Sequence, residues 1–139
     1  TSNLLTIRKF DKNDDTELIH FWRNAFPNDP PHNAPEKMLH AKLAVDDLIY
    51  IVESEGQIVG ACMAGYDGHR GWLYAVAVSS SHRRLGIGKQ LITHTIQALK
   101  DLGCIKLNLQ IRADNTQVKH FYQSLGFEVE ERLSMGQFI

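Results

Sequence analysis

The hydrophobic period of this chain changes at Ser79-Ser80-Ser81, and this change limits the folds that the chain can adopt. From Leu48 up to this change the apolar residues form strand-like runs, and directly after it they recur with the spacing of a helix. The runs before it are Leu48–Glu53, Ile58–Tyr66 and Trp72–Ser79. Because short turns rich in Gly and Asp join these runs, the sequence predicts an antiparallel meander.

The segment after the change predicts a crossover. A helical apolar stripe runs from Ile87 to Leu102, and Gly103 is placed to end the helix. The next run, Ile105–Ile111, alternates as a strand does. A strand-helix-strand segment of this length forms a right-handed connection between parallel strands. The sheet is therefore predicted to be mixed, with antiparallel strands first and a parallel pair at the crossover.

The remaining elements complete the order β-α-α-β-β-β-α-β-α-β. They are a strand at Leu5–Phe10, a helix after the carboxylates of Asp11 to Asp15, a helix at Glu36–Ala44 with Pro35 in its first turn, a helix at Val118–Leu125, a strand that starts at Phe127–Val129 and a candidate last strand at Ser134–Ile139. All four prolines lie in the loop 27–35, which either shapes a pocket or acts as a rigid connector. The fold class is thus α/β with an α+β type of mixed sheet and about four helices, and residues 1–139 are expected to form a single domain.

Composition limits the partners that this chain can have. The hydrophobic fraction of 43% excludes a disordered chain, and the net charge of −1 does not suit nucleic-acid binding. Residues 1–70 hold seven basic and eleven acidic residues, whereas residues 71–139 hold eight and five. The second half is therefore better suited to an anionic ligand.

Cysteine and histidine usage predicts neither disulfides nor a metal. Cys62 and Cys104 lie in apolar runs, so we expect both to be buried, and the seven histidines lack ligand spacing. No run is long enough to span a membrane, and the first residues lack the apolar core of a signal peptide, so a cytoplasmic protein is expected.

The strongest local signal is a strand, a short polar turn and a glycine-containing helix start. Val76-Ala77-Val78 is followed by Arg83, Arg84, Gly86, Gly88 and Lys89. Unpaired N–H groups at a helix start, close approach at glycine and flanking cations together bind phosphates, although a basic turn that only caps a helix has the same composition. A dinucleotide fingerprint is excluded because it needs glycine at Leu91, and Walker A is excluded because it needs Ser or Thr at Gln90.

Two motifs resemble those of the GNAT superfamily of N-acetyltransferases. Arg83-Arg84-Leu85-Gly86-Ile87-Gly88 matches [Q/R]-x-x-G-x-[G/A], and the stretch from Asn115 to Phe127 matches N…F-Y-x-x-x-G-F. The turn Gly65–Gly71 looks like that of the small bacterial YpeA-type acetyltransferases. The resemblance implies a GNAT-like fold whose sheet splays between the fourth and fifth strands.

The resemblance also implies a set of ligand contacts. Acetyl-CoA is expected as the cosubstrate, with its pantetheine arm on the fourth strand and its pyrophosphate at the glycine-containing helix start. Tyr122 would donate a proton to the departing thiolate. The residues implied in cosubstrate binding are Val76, Ala77, Val78, Arg83, Arg84, Leu85, Gly86, Ile87, Gly88, Lys89, Asn115 and Tyr122. Asn115 has the alternative of capping the last helix, and Tyr122 that of a core residue.

The general base is less well marked in the sequence. Members of the superfamily often have Glu or His early on the fourth strand, whereas Trp72–Ala75 has neither. Asp67 and His69 in the preceding turn are the candidates, and for both the alternative is a plain turn residue.

Three functions remain open at this point. The first is acetyl transfer from acetyl-CoA to a primary amine, on a small molecule or on a protein N-terminus or lysine, by direct transfer in a ternary complex. The acceptor would lie between the first two helices, the proline-rich loop and the Asp67–Trp72 turn, in a monomer or homodimer with no membrane or nucleic-acid partner. The second is a non-catalytic acyl-CoA sensor or regulatory module. The third, a nucleic-acid patch at Arg83, Arg84 and Lys89, is opposed by the near-neutral net charge.

Overall fold

The structure is a computed structural model that describes residues 5–26, 34–79, 86–111 and 115–139. Its elements are β1 (Leu5–Lys9), α1 (Asp15–Ala25), α2 (Pro35–Val45), β2 (Ile49–Ser54), β3 (Gln57–Tyr66), β4 (Gly71–Val78), α3 (Ile87–Asp101), β5 (Leu107–Leu109) and α4 (Thr116–Ser124). A single 3₁₀ turn precedes α1. No helix in the described ranges is long and apolar enough to cross a bilayer.

The strands form one sheet in the order β1-β2-β3-β4-β5. The first three pairs are antiparallel and the β4–β5 pair is parallel, which confirms the predicted meander and crossover. Two apolar clusters cover the two faces of the sheet. One contains Leu18, Trp22 and Leu39 from α1 and α2, and the other contains Leu91 from α3 and Tyr122 from α4.

Several local predictions are confirmed. Pro35 occupies the first turn of α2, where its missing N–H breaks no helical hydrogen bond. Gly103 follows α3 with a φ of +102°, a conformation in which a side chain is strained. Cys62 and Cys104 are both buried.

The two strands predicted near the C-terminus are wrong. Phe127–Val129 and Ser134–Ile139 form no strand, and Val129 is 67% exposed. The segment is held beside β5 by side chains, because Asn108 and Lys106 both donate to the Glu130 carboxylate. Apolar alternation stabilises a strand only where a neighbouring backbone takes up its N–H and C=O groups. The strand predicted at Ile105–Ile111 is likewise only three residues long.

A bulge interrupts β4 in its middle. Ala61 pairs with Ala77 and Met63 pairs with Tyr74, so β4 has one residue more than β3 between these positions. Ala75 in the bulge has a φ of +54°, which is rare for a residue with a side chain. The indole Nε1 of Trp22 on α1, itself fully buried, donates a hydrogen bond of 3.1 Å to the Ala75 carbonyl. The bulge is therefore held from the helix layer beneath it.

The pairing of β4 with β5 ends just before this bulge. The three registered pairs join Gly71 to Leu107, Trp72 to Asn108 and Leu73 to Leu109. From Tyr74 to Val78, β4 pairs with β3 but with no described residue of β5. The predicted splay between the fourth and fifth strands is thus present.

Replacing Ala75 by glycine should cost less stability than replacing Ala77 by glycine. Both alanines lie on β4 and pack partly buried against the same cluster, so both changes remove one comparable methyl group. Only Ala75 has a left-handed φ, and that conformation costs a non-glycine residue about 1–2 kcal/mol. We expect Ala75→Gly to be more stable than Ala77→Gly by about this amount in urea unfolding. Equal unfolding free energies would contradict strain at Ala75.

Candidate functional site

The unpaired part of β4 gives the candidate site its first component. Val76, Ala77 and Val78 are half-buried and lie where the sheet has parted. Val76 and Val78 pack against the cluster on the α3 and α4 face, whereas Ala77 packs against the cluster on the opposite face. A strand edge of this kind offers backbone N–H and C=O groups to an extended ligand.

The start of α3 lies beside this strand. Ile87 is buried, and a Cβ placed on Gly60 of β3 would lie 3.3 Å from its Cγ2 atom, so the helix start packs closely on the sheet. Gly86 caps the helix with a φ of +76° and has open space where a side chain would be. No side chain among the described residues caps the first turn, and no acidic residue lies in it. Its backbone N–H groups and the positive end of the helix dipole are therefore available to an anion.

Two further residues at this helix start have the positions that the sequence predicts. A Cβ on Gly88 would lie 3.2 Å from Cζ of Phe121, so glycine allows α3 and α4 to approach closely. Lys89 is exposed and is free to approach an anionic ligand. Arg83, Arg84 and Leu85, which the sequence also predicts in this site, lie outside the described residues.

Tyr122 on α4 lies in the same apolar cluster as Val76 and Val78. It is 7% exposed, and its ring makes edge contacts with Phe121 and Phe127 at centroid distances of 5.1 and 5.5 Å. Among the described residues its hydroxyl makes no hydrogen bond. Burial raises the pKa of Tyr122 to about 12, so the phenol keeps its proton at all physiological pH values. Both predicted roles, core residue and proton donor, are compatible with this geometry.

Asn115 caps α4, as one of its two interpretations requires. Its side-chain oxygen accepts a hydrogen bond of 3.3 Å from the backbone N–H of Val118. Its contact with the cosubstrate stays a prediction.

A cavity of about 950 Å³ lies on the α2 side of the sheet. Its lining comes from α2, from the end of β3, from the start of β4 and from Gln110 after β5. The described lining residues are Lys37, Met38, Ala41, Lys42, Val45, Asp46, Met63, Gly65, Tyr66, Asp67, Trp72, Leu73, Tyr74 and Gln110. The second helix and the ends of the Asp67–Trp72 turn border this space, but no residue of α1 does, and most of the proline-rich loop lies outside the described residues. The acceptor pocket therefore stays a prediction.

The two candidate bases differ in their surroundings. Asp67 lines the cavity, but its Oδ1 atom accepts hydrogen bonds of 2.8 Å from the backbone N–H groups of His69 and Arg70. These bonds lower the pKa of Asp67, which makes it a weaker base and supports the interpretation as a turn residue. His69 is exposed in the same turn and does not line the cavity. A catalytic role for either residue stays a prediction.

Sequence reasoning missed two residues of this region. Lys42 is buried, bonds to the Ala64 carbonyl and lies 2.7 Å from the Asp46 carboxylate on the next turn of α2. The i,i+4 spacing of Lys42 and Asp46 is visible in the sequence, but their position in a cavity wall is not. Trp22 had no sequence signal beyond its place on an apolar stripe.

In the part of the chain that the structure describes, no three His, Cys, Asp or Glu side chains group as metal ligands would.

Two solved N-acetyltransferases have the same fold as this chain. The crystal structure of aminoglycoside N-acetyltransferase AAC(6')-Iy in complex with CoA superposes with a TM-score of 0.83, at 23% identity, over 99% of this chain and 97% of that one. The ribosomal-protein-S18-alanine N-acetyltransferase from Escherichia coli superposes with a TM-score of 0.78, at 23% identity, over 90% and 78% of the two chains. At this identity the likeness shows a shared fold.

Similarity in sequence shows the family as well as the fold. An acetyltransferase from Yersinia pestis (strain Pestoides F) is 36% identical over 134 residues, which are 96% of this chain and 94% of that protein. An acetyltransferase from Sodalis glossinidius is 38% identical over 128 residues, or 91% and 89% of the two. Residues 16–127 match the Acetyltransferase (GNAT) family. The chain therefore belongs to the GNAT family of acetyltransferases.

Proposed function

We propose that this protein transfers the acetyl group of acetyl-CoA to an amine by direct transfer in a ternary complex. The observation that carries the proposal is the parting of β4 from β5 beside the uncapped, glycine-containing start of α3. An extended arm fits the strand edge and a pyrophosphate fits the helix start, and acetyl-CoA has both groups. The proposal includes a cytoplasmic location and activity as a monomer or homodimer.

The chain's own residues would hold the two ends of acetyl-CoA differently. Backbone groups of Val76 to Val78 would pair with the amides of the pantetheine arm and keep the thioester at the bulge. Backbone N–H groups from Gly86 to Lys89, with the guanidinium groups of Arg83 and Arg84, would take the pyrophosphate. Asn115, beside Val118 at the start of α4, would contact the arm.

Tyr122 would act as the general acid. In the reaction the amine nitrogen attacks the thioester carbonyl, the carbon–sulfur bond breaks, and the sulfur leaves with the electron pair. The Tyr122 hydroxyl would give this sulfur its proton and regain one that the amine loses. The place of Tyr122 in the same cluster as Val76 and Val78, and a hydroxyl that bonds to no described residue, support this role. The raised pKa keeps the proton on Tyr122 but also makes the phenol a weaker acid, so the proton would transfer only to a sulfur that carries the developing negative charge.

The acceptor would enter from the α2 side. The cavity there reaches the start of β4, close to the bulge at which the thioester would lie. A lysine-like ammonium has a pKa near 10.4, so it must lose a proton before it attacks. His69, or a water molecule between it and the amine, is the better candidate for this step, since the Oδ1 atom of Asp67 is engaged by the turn.

A second candidate function is a non-catalytic acyl-CoA sensor. It is favoured by the start of β4, where Trp72–Ala75 offers no Glu or His as a base. Such a module would bind acetyl-CoA in the same gap but would release no thiol.

Calorimetry and thiol release distinguish these candidates. The protein is titrated with acetyl-CoA, and free CoA is then followed over a panel of amines, amino acids, polyamines, aminoglycosides and peptides. Acetyl-CoA binding with amine-dependent thiol release supports the enzyme. Binding without release from any acceptor supports the sensor, and absence of binding overturns both.

Tyr122→Phe should lower kcat by about 100-fold, within the range of general acid catalysis, and leave the Kd for acetyl-CoA nearly unchanged. Tyr50→Phe is the matched control, because Tyr50 is also a buried tyrosine but lies on β2. Since burial keeps Tyr122 protonated up to a pKa of about 12, its ionisation should cause no loss of kcat between pH 8 and pH 10. An unchanged kcat in Tyr122→Phe would remove this residue from the mechanism.

Gly86→Asp should weaken acetyl-CoA binding at least tenfold relative to Gly86→Asn. Both side chains have the same size, both tolerate the left-handed backbone of Gly86, and both enter open space. Only aspartate adds a negative charge at the helix start, where it would compete with the pyrophosphate. The difference in Kd, measured by calorimetry, should shrink as salt is raised. Equal Kd values in low salt would argue against a phosphate site at this position.

A further inference from the structure

We propose that the α2-side cavity selects acceptors that carry one amino group on an apolar or aromatic body, and that it disfavours polycationic acceptors such as polyamines and aminoglycosides. This inference rests on the proposed function, because it assigns the cavity to the acceptor. It depends on the walls of the cavity and on the charges set into them.

The walls are largely apolar and aromatic. Met38, Ala41 and Val45 line the cavity from α2, and Met63 lines it from β3. From β4, Trp72 and Tyr74 line the same space and are 38% and 42% exposed, so part of each ring is open to a ligand. Burying an apolar ligand against such a surface is favourable, and the face of an aromatic ring can also bind a single ammonium group.

The charges in the described lining balance one another. Lys37 and Lys42 supply two positive charges, and Asp46 and Asp67 supply two negative charges. The Asp46 carboxylate is 2.7 Å from Nζ of Lys42, and the Asp67 carboxylate is engaged by its own turn. The described part of the lining therefore has no excess negative charge to neutralise several ammonium groups.

Lys42 adds a direct penalty for a second cation. Its side chain is 6% exposed, and three groups fix its ammonium: the Asp46 carboxylate, the Ala64 carbonyl and the ring of Tyr74, whose centroid is 5.6 Å away. Because Lys42 satisfies the Asp46 carboxylate, that carboxylate has little attraction left for a second ammonium, and the buried Lys42 charge beside it is screened by water less than an exposed lysine would be. An acceptor with one amine can direct that amine to the thioester and leave an uncharged body beside Lys42.

The test compares two acceptors of nearly equal length, hexylamine and 1,5-diaminopentane, which differ by a second ammonium in place of a methyl group. Steady-state thiol release is measured with saturating acetyl-CoA. We expect kcat/KM to be at least tenfold higher for hexylamine. A higher value for the diamine would overturn the inference and leave the proposed function intact.

Two variants change the charge of the wall in opposite directions. Lys42→Met leaves Asp46 unpaired, so it should reduce the preference for hexylamine about tenfold. Asp46→Asn leaves Lys42 without its carboxylate partner and should increase the preference. Lys12→Met, an equal charge change on an exposed residue before α1 and outside the lining, is the control and should leave the ratio unchanged.

Each result has one meaning. Opposite shifts in the two variants, at unchanged Kd for acetyl-CoA, support the inference, and melting curves establish that each variant is folded. If Lys42→Met is unfolded, the Asp46→Asn ratio decides. The role of the charge pair is overturned if the ratio of kcat/KM for hexylamine to that for the diamine stays constant in both folded variants. It is also overturned if Lys12→Met changes this ratio as much as Lys42→Met does. Absence of thiol release from every amine overturns the proposed function itself.

Discussion

The hydrogen bond from the Trp22 indole to the Ala75 carbonyl joins α1 to the bulge on which the rest of the site depends. Ala75 has a left-handed backbone that costs about 1–2 kcal/mol in isolation, and a buried hydrogen bond contributes about 1 kcal/mol toward holding it. The bulge coincides with the end of the β4–β5 pairing at Leu73. The strained residue thus stands where the sheet changes from a closed ladder to an open edge.

The parting of β4 from β5 matters because the two parts of the candidate site lie on opposite faces of the sheet. The start of α3 and the ring of Tyr122 belong to one face, whereas the cavity beside α2 belongs to the other. A continuous sheet would keep them apart, since its backbone groups would all be paired and its surface closed. With β4 and β5 parted, an acyl donor bound on one face and an amine bound on the other can meet at the bulge. The proposed direct transfer needs this arrangement.

Prediction from the sequence succeeded where the signal is local. Pro35 begins α2, Gly86 and Gly103 flank α3 with positive φ values, and the apolar stripe between them is buried on the sheet. Prediction failed at Ser134–Ile139, because an alternating pattern does not specify whether a neighbouring strand is present. Asp67 lies between these cases. Its turn geometry was foreseen as an alternative, and its hydrogen bonds to His69 and Arg70 favour that alternative over a catalytic base.

The order of the elements from β1 to α4, the mixed sheet and the family follow from the sequence, because periodicity, helix ends and the two glycine-containing motifs are properties of neighbouring residues. The sequence does not show that Trp22 supports the bulge 53 positions away, or that Lys42 and Asp46 lie in the wall of the cavity that Tyr74 borders; these contacts depend on the tertiary structure. Both are contacts between elements that the sheet brings together. Their energies come from burial and distance, which no local pattern encodes.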